Sequence, residues 1–201
     1  MSASNAMTPS LAEAMKHSEL LFDRAHLQRV IATMAERIRA DYRGTHPLYL
    51  TVMHGGMLFA SELALALGEA DTKGTSLDLE FDYLHATRYR GATSGGSLQW
   101  KHRPATPLQG RCVLLVDDIV DEGHTLAAVR EWCRAEGALE VRIASLSVKQ
   151  HDRCVSGLTA DYVGVEVPDR YVFGFGMDYY EQGRNLPGIY SLTDRMAKDS
   201  A

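Results

Sequence analysis

The sequence is poor in several features that mark particular classes of protein. It has only three cysteines, and Cys112, Cys133 and Cys154 form no Cys-x-x-Cys pair, so neither a disulfide framework nor a zinc site is indicated. Such a cysteine content is typical of the reducing cytoplasm, where we expect this protein. No apolar run approaches the roughly 18 residues of a membrane span, and the first residues lack the regions of a signal peptide. We therefore expect no membrane partner.

An excess of basic charge is also lacking. The chain has 21 lysines and arginines against 26 aspartates and glutamates, which gives a formal net charge of −5. A broad basic face for nucleic acid is therefore not expected, because such a face requires an excess of positive charge. Any anionic ligand must be bound by a local pocket.

The 201 residues contain no linker rich in proline, glycine or serine, no internal repeat and no low-complexity tract. A chain of this length can bury one sizeable core, so a single domain is expected. We interpret residues 1–9, with Ser-Asn-Ala before Met7, as an N-terminal tag or a disordered N-terminus, and we assign residues 10–201 to the domain.

Hydrophobic periodicity predicts an α/β fold. Apolar positions at helical spacing follow Asp23, a good N-cap, and further helical patterns are present downstream, so helices are predicted at 24–43, 59–68 and 126–137. Short runs rich in valine, leucine and aromatic residues predict strands at 48–53, 77–84, 112–118, 141–148, 161–167 and 171–177. Alternation of helices and strands indicates a parallel sheet covered on both faces.

The segment 88–107 has no periodicity and is rich in glycine, serine, threonine and basic residues. A loop of that length inside one domain is usually either functional or disordered. We favour a mobile lid over a site, at about residues 88–103, and keep a disordered loop without function as the alternative.

The stretch "VLLVDDIVDEGHTL", residues 113–126, places four carboxylates directly after an apolar strand: Asp117, Asp118, Asp121 and Glu122. Ligands of open α/β sheets bind beyond the carboxyl ends of the strands, so this position suggests a site. Gly123 allows a tight turn, and the amides of residues 122–125 can bind one anion at a helix N-terminus. The glycine spacing matches neither a Walker A loop nor a dinucleotide motif.

This stretch resembles the 5-phosphoribosyl 1-pyrophosphate (PRPP) signature of type I phosphoribosyltransferases. The alternative interpretation is a solvated acidic loop without function. Further segments resemble the 6-oxopurine branch of that family, in particular bacterial hypoxanthine-guanine phosphoribosyltransferases: "MHGGMLFASELA" (53–64), "DYLHATRYRG" (82–91), "SVKQ" (147–150) and "VPDRYVFGFGMDYYEQGRNLPGIY" (167–190). The resemblance runs in order from about residue 20 to 190. It implies the type I phosphoribosyltransferase fold, an α/β fold with a parallel-sheet core flanked by helices and a small hood from the N-terminal segment and about residues 165–190.

The resemblance also implies an activity. The expected reaction transfers the 5-phosphoribosyl group from PRPP to N9 of hypoxanthine or guanine, giving IMP or GMP and pyrophosphate, with Mg²⁺ required. Two alternatives are a phosphoribosyltransferase for another base, such as xanthine or a pyrimidine, and a PRPP-sensing transcriptional regulator. A regulator would normally add a basic DNA-binding segment, which this N-terminus does not resemble. A homodimer or homotetramer is expected.

Roles around PRPP carry over by position. Asp117 and Asp118 would hold the ribose hydroxyls and the waters of a magnesium ion, and Asp178 would bind a second magnesium ion. The 5′-phosphate loop would comprise Glu122, Gly123, His124 and Thr125. The pyrophosphate contacts would come from His54, Gly55, Gly56 and Arg184. His54 stands where many relatives carry lysine, so a solvated loop histidine is its alternative.

Roles around the base carry over in the same way. Asp121 would face N7 of the purine and take its proton, and its alternative role is a helix cap. Lys149 would donate to the 6-oxo oxygen, although a lysine at a strand end is often only a solvated charge. Tyr171 would stack on the purine, and the backbone of Val172 would form hydrogen bonds with the edge of the ring. The alternative is that both are ordinary core residues. Arg88 and Tyr89 match the lid, where relatives often have Ser-Tyr, so Arg88 departs from the pattern.

Overall fold

The computed structural model describes residues 10–70, 74, 76–88 and 98–193, without the side chains of Arg88 and Leu98. The expected tag at 1–9 and Tyr89 of the expected lid lie outside the described residues. The helices are α1 (Leu11–Lys16), α2 (Arg24–Asp41), α3 (Met57–Gly68) and α4 (His124–Ala135). The strands are β1 (Ser18–Phe22), β2 (Leu48–Val52), β3 (Glu80–Arg88), β4 (Leu98–His102), β5 (Cys112–Val120), β6 (Glu140–Lys149), β7 (Tyr162–Val167), β8 (Val172–Phe173) and β9 (Ile189–Leu192).

A six-stranded sheet in the order β4-β3-β2-β5-β6-β7 forms the centre of the molecule. Five of its strands are parallel, and β4 pairs antiparallel with β3 at one edge. Leu114 and Val116 of β5 pack with α2 and α3, whereas Val113 and Leu115 pack with α4 on the other face. Both faces are thus covered by helices, and the predicted α/β fold class is confirmed.

A second, three-stranded sheet in the order β1-β9-β8 lies outside this core. Its strands come from the N-terminal part of the chain and from residues 172–192, and all of its pairs are antiparallel. Ala14 of α1 packs against Phe173, Tyr179 and Leu192 in a separate hydrophobic cluster. This sheet is the small hood of the predicted fold class.

Local sequence explains where α2 begins and which face it buries. Asp23 Oδ1 accepts the N–H of His26 at 2.7 Å, so the predicted N-cap is confirmed. Leu27, Ile31 and Ile38 then recur on the buried face. The helix ends at Asp41, two residues before its predicted end. Within the described residues, no helix has both the length and the apolar character needed to cross a membrane.

Two sequence-based expectations are wrong. The segment 88–107 is not irregular throughout, because residues 98–102 form β4, and Trp100 packs edge-on against Trp132 with ring centroids 4.7 Å apart. The lid itself stays a prediction. The strand predicted at 171–177 is only two residues long, because Gly174 and Gly176 have φ values of 94° and 108° and turn the chain out of the sheet. Three further elements, α1, β1 and β9, had no clear periodic signal.

Candidate active site

The acidic pair lies in β5, which continues to Val120, two residues beyond its predicted end. Asp118 is only 7% exposed, and its N–H donates to Asp117 Oδ1 at 2.9 Å. Burial raises the pKa of both carboxyl groups, and the charge of Asp118 raises that of Asp117 further. The partly buried carboxyl group of Asp117 and the buried one of Asp118 are adjacent, so together they can accept hydroxyl donors or hold a cation.

Two glycines lie so close to this pair that no side chain fits. A Cβ on Gly55 would lie 2.1 Å from Asp118 Oδ2, and a Cβ on Gly176 would lie 2.1 Å from the carbonyl oxygen of Gly55. The preceding Met53–His54 peptide is cis, and Gly56 is the N-cap of α3. The N–H of Gly56 donates to the carbonyl oxygen of Val52 at 3.0 Å, so an anion at this helix N-terminus would be met by Gly55 and by the remaining amides of the first turn.

Arg184 joins this cluster from the segment that follows β8. Its guanidinium donates to the carbonyl oxygen of Gly176 at 2.9 Å and pairs with Asp178 Oδ1 at 2.8 Å. Its charge also counteracts part of the effect that burial has on the pKa of Asp118. The structure therefore brings Gly55, Gly176, Asp118, Asp178 and Arg184 together through these contacts.

Two histidine rings meet near the glycine loop, and of these His54 was predicted at the site whereas His85 was not. The ring of His54 lies edge-on to that of His85 in β3, with centroids 4.5 Å apart. Burial lowers the pKa of His85, and the charges of Lys101, His54 and Arg184 lower it further. His85 lies in one of the segments that carry the family resemblance, but its approach to His54 depends on neighbouring strands of the sheet.

The turn between β5 and α4 has the geometry of an anion site. Gly123 has a φ of 75°, and α4 begins at His124, so the amides of its first turn have no partner within the helix. A Cβ on Gly123 would meet Leu158 Cδ2 at 2.2 Å. The Glu122 carboxylate is half exposed and lies 3.6 Å from His124 Nε2. The amides of this turn, including that of Thr125, can thus meet one phosphate.

Asp121 lies at the same end of β5 and has two partners. Lys149 Nζ is 2.6 Å from Oδ2, and His151 Nε2 is 2.6 Å from Oδ1. Burial alone would raise the pKa of Asp121, but the hydrogen bonds from Lys149 and His151 outweigh it and hold the pKa below its ordinary value. Asp121 and Lys149 were both predicted at the site, whereas His151 was missed, because no local pattern distinguishes it.

The aromatic residue predicted to stack on a base lies in the hood. Tyr171 is half-buried, edge-on to Tyr179 at 5.4 Å and parallel to Tyr180 at 6.1 Å. The next residue, Val172, is buried in β8. Lys149 pairs with Val167 in the large sheet, four residues before Tyr171. The side chain of Arg88 and all of Tyr89 lie outside the described part of the chain, so their roles stay predictions.

Comparison with known proteins identifies the family. The family model described as "Phosphoribosyl transferase domain" matches residues 17–182. The hypoxanthine-guanine phosphoribosyltransferases of Streptococcus thermophilus and Bacillus subtilis are 31% and 33% identical, over 89% and 87% of this chain and 94% of each relative. A crystal structure of a hypoxanthine-guanine phosphoribosyltransferase from Bacillus anthracis superposes with a TM-score of 0.74 at 27% identity, covering 87% of this chain and 98% of that one. The chain therefore belongs to the phosphoribosyl transferase domain family.

Proposed function

We propose that the protein transfers the 5-phosphoribosyl group of PRPP to N9 of hypoxanthine or guanine, a reaction of purine salvage. The observation that carries the proposal is the placement of Asp121 and Lys149 beside the Gly123 turn. A carboxylate that can take a proton and an ammonium that can donate to a carbonyl are paired at 2.6 Å next to an anion site. The names of the relatives support the same bases.

The proposed arrangement of PRPP follows from the two helix N-termini. The 5′-phosphate binds the amides at the start of α4, and the pyrophosphate binds at Gly55 and the start of α3, with Arg184 beside it. The N–H of Gly56 donates to Val52, so Gly56 contributes the absence of a side chain. Asp117 and Asp118 accept hydrogen bonds from the ribose hydroxyls. His54 and His85 lie on the pyrophosphate side, where an imidazole N–H can donate to it.

The proposed cofactor is Mg²⁺. Magnesium keeps several waters and takes one or two carboxylates together with substrate phosphates, so a dedicated cage of protein ligands is not needed. Asp117, Asp118 and Asp178 fit this requirement, since the first two are adjacent and, when ionised, are acceptors only. When bound, the ion would neutralise charge on the leaving pyrophosphate.

The proposed chemistry uses groups of the chain itself. Lys149 leaves Asp121 and donates to the 6-oxo oxygen of the base, which frees the carboxylate to face N7. N9 attacks C1′, the bond from C1′ to the pyrophosphate oxygen breaks, and the N7 proton passes to Asp121. Tyr171 stacks on the ring, and the backbone of Val172 forms hydrogen bonds with its edge.

The test is turnover of single bases with PRPP. Hypoxanthine, guanine, xanthine, adenine and a pyrimidine are each incubated with PRPP and Mg²⁺, and mononucleotide and pyrophosphate are both quantified. Equal amounts of the two products with hypoxanthine or guanine are expected. Turnover confined to xanthine or a pyrimidine would reassign the base, and no turnover with any base would refute the activity.

We also propose that the protein is a homo-oligomer of two or four chains in the cytoplasm. Support for oligomers comes from the exposed apolar side chains of α3 and β3, where Leu65 is 74% and Phe81 61% exposed. Light scattering of the parent protein and of Phe81→Asp should give a smaller species for the variant, and an unchanged mass would place the interface elsewhere.

Support for a reducing compartment comes from the three free cysteines.

A further inference from the structure

His151 has a contact that the mechanism so far does not use. Its side chain is only 3% exposed and lies against Asp121, whose side chain is 43% exposed. Its Nε2 meets Oδ1 of that carboxylate, while Lys149 meets Oδ2, both at 2.6 Å. The two oxygens of the proposed proton acceptor are thus held differently, one by a long flexible side chain and one by a buried ring.

The second nitrogen of the His151 ring fixes which tautomer is present. The backbone N–H of Arg153 donates to Nδ1 at 3.1 Å. Nδ1 must therefore present its lone pair, so the neutral ring carries its hydrogen on Nε2 and donates it to Asp121. A doubly protonated ring would bring a second N–H against the amide of Arg153. His151 is accordingly a donor to Asp121 and not an acceptor for its proton.

The segment that carries His151 is tied to both sides of the site. The Arg153 guanidinium binds the two carboxylate oxygens of Asp169 at 2.8 and 2.6 Å, just before Tyr171. The N–H of Val155 donates to the carbonyl oxygen of Glu122 at 2.9 Å, directly after Asp121. The position of the imidazole is therefore fixed relative to the carboxylate that it contacts.

We propose that His151 is a positioning residue, which keeps Oδ1 of Asp121 hydrogen-bonded while Lys149 leaves Oδ2 for the 6-oxo group of the base. This role rests on the proposed function, because it concerns the proton that N7 loses. The carboxylate keeps one fixed partner throughout, so Oδ2 stays aimed at the purine instead of rotating with the departing lysine.

The first test compares two substitutions by single-turnover kinetics with PRPP and hypoxanthine. His151→Leu removes the donor and fills a similar volume, whereas His151→Gln keeps an N–H donor and a carbonyl acceptor. Since a hydrogen bond to a charged group is at stake, His151→Leu should slow the chemical step by about tenfold or more. His151→Gln should recover most of the rate, and the KM for PRPP should stay near that of the parent in both.

The second test separates positioning from packing. In an Asp121→Ala background, His151→Leu should cause no further loss of rate, because His151 acts only through that carboxylate. An equal loss in both backgrounds would show that the ring merely supports the fold, and would overturn the proposal.

A third readout does not depend on activity. The ¹⁵N shifts of His151 in the ligand-free protein should report a hydrogen on Nε2, and a ring that carries its hydrogen on Nδ1 alone would overturn the proposed contact. A parent protein that turns over no purine would overturn the proposed function and this role together. An active parent whose His151→Leu variant turns over at the parental rate would overturn the role of His151 alone.

Discussion

Replacing Asp117 by asparagine should make the ligand-free protein more stable and weaken its binding of PRPP. Burial, and next the charge of Asp118, raise the pKa of Asp117 well above its ordinary value. Asparagine keeps the oxygen that accepts the N–H of Asp118 at 2.9 Å, and it removes the charge. The substitution therefore changes the electrostatic free energy of the site with little change in packing.

The sign and size of the effect follow from this environment. Because the pKa is higher in the folded than in the unfolded state, ionisation lowers the free energy of unfolding as the pH rises above 3.8. Two like charges about 4 Å apart repel by roughly 4 kcal/mol at an effective dielectric constant of about 20. Arg184 offsets part of this repulsion near Asp118. We therefore expect a gain of about 1–2 kcal/mol near neutral pH, or about 2–8 °C in Tm for a domain of this size.

Thermal unfolding without PRPP or Mg²⁺ measures this gain, which should shrink as the pH is lowered toward the ordinary pKa of a carboxyl group. Asp82→Asn is the matched control with the opposite sign. Burial alone would raise the pKa of Asp82, but N–H groups of Thr106, Tyr83 and Ala105 outweigh it and lower the pKa, so this control should lose stability. An unchanged or lower Tm for Asp117→Asn near pH 8 would refute the reasoning. Added Mg²⁺ and PRPP should raise the Tm of the parent more than that of the variant.

Three further substitutions test the site. Asp121→Asn should slow single turnover by about 10²–10⁴-fold with little loss of PRPP affinity, and parental turnover would exclude Asp121 as the proton acceptor. The parent should prefer hypoxanthine to adenine by about 10²-fold or more in kcat/KM. Lys149→Ala should lose most of the activity with hypoxanthine and gain none with adenine, because the substitution creates no acceptor for the 6-amino group. Efficient use of adenine by the parent would contradict the role of Lys149. Gly55→Ala should lower the free energy of unfolding by about 1–3 kcal/mol, because its Cβ would lie 2.1 Å from Asp118 Oδ2. Gly68→Ala is the control and should show no such loss, because a Cβ there meets nothing within 4 Å. Equal unfolding free energies of the two variants would argue against the close approach at Gly55.

Much of the central sheet and of the phosphate turn could be predicted because their signals are local. The runs that form β2, β5 and β6 are largely apolar, and α2 has both a cap and a buried stripe in its own sequence. Gly123 and the carboxylates before it are likewise close in the chain. A motif whose residues are adjacent in the chain can be recognised without knowing how distant residues pack.

The remainder depends on contacts between distant residues. β4 is short and lies at the edge, and it exists because β3 offers it a partner and Trp132 packs against its tryptophan. His151 and His85 acquire their neighbours only when strands far apart in the chain lie side by side. The family resemblance placed Asp121 and Lys149 at the base, but the direct ion pair between them is visible only in the structure.

The pairing of Lys149 with Asp121 has a consequence for how base choice could evolve. On the proposed mechanism, the carbonyl group of the incoming base draws the lysine away and thereby makes the proton acceptor available. Recognition and activation share one contact, so a base without that carbonyl is bound weakly and also leaves the acceptor neutralised. A change in specificity would then require a new partner for Asp121 together with a new partner for the base, and no single substitution at Lys149 provides both.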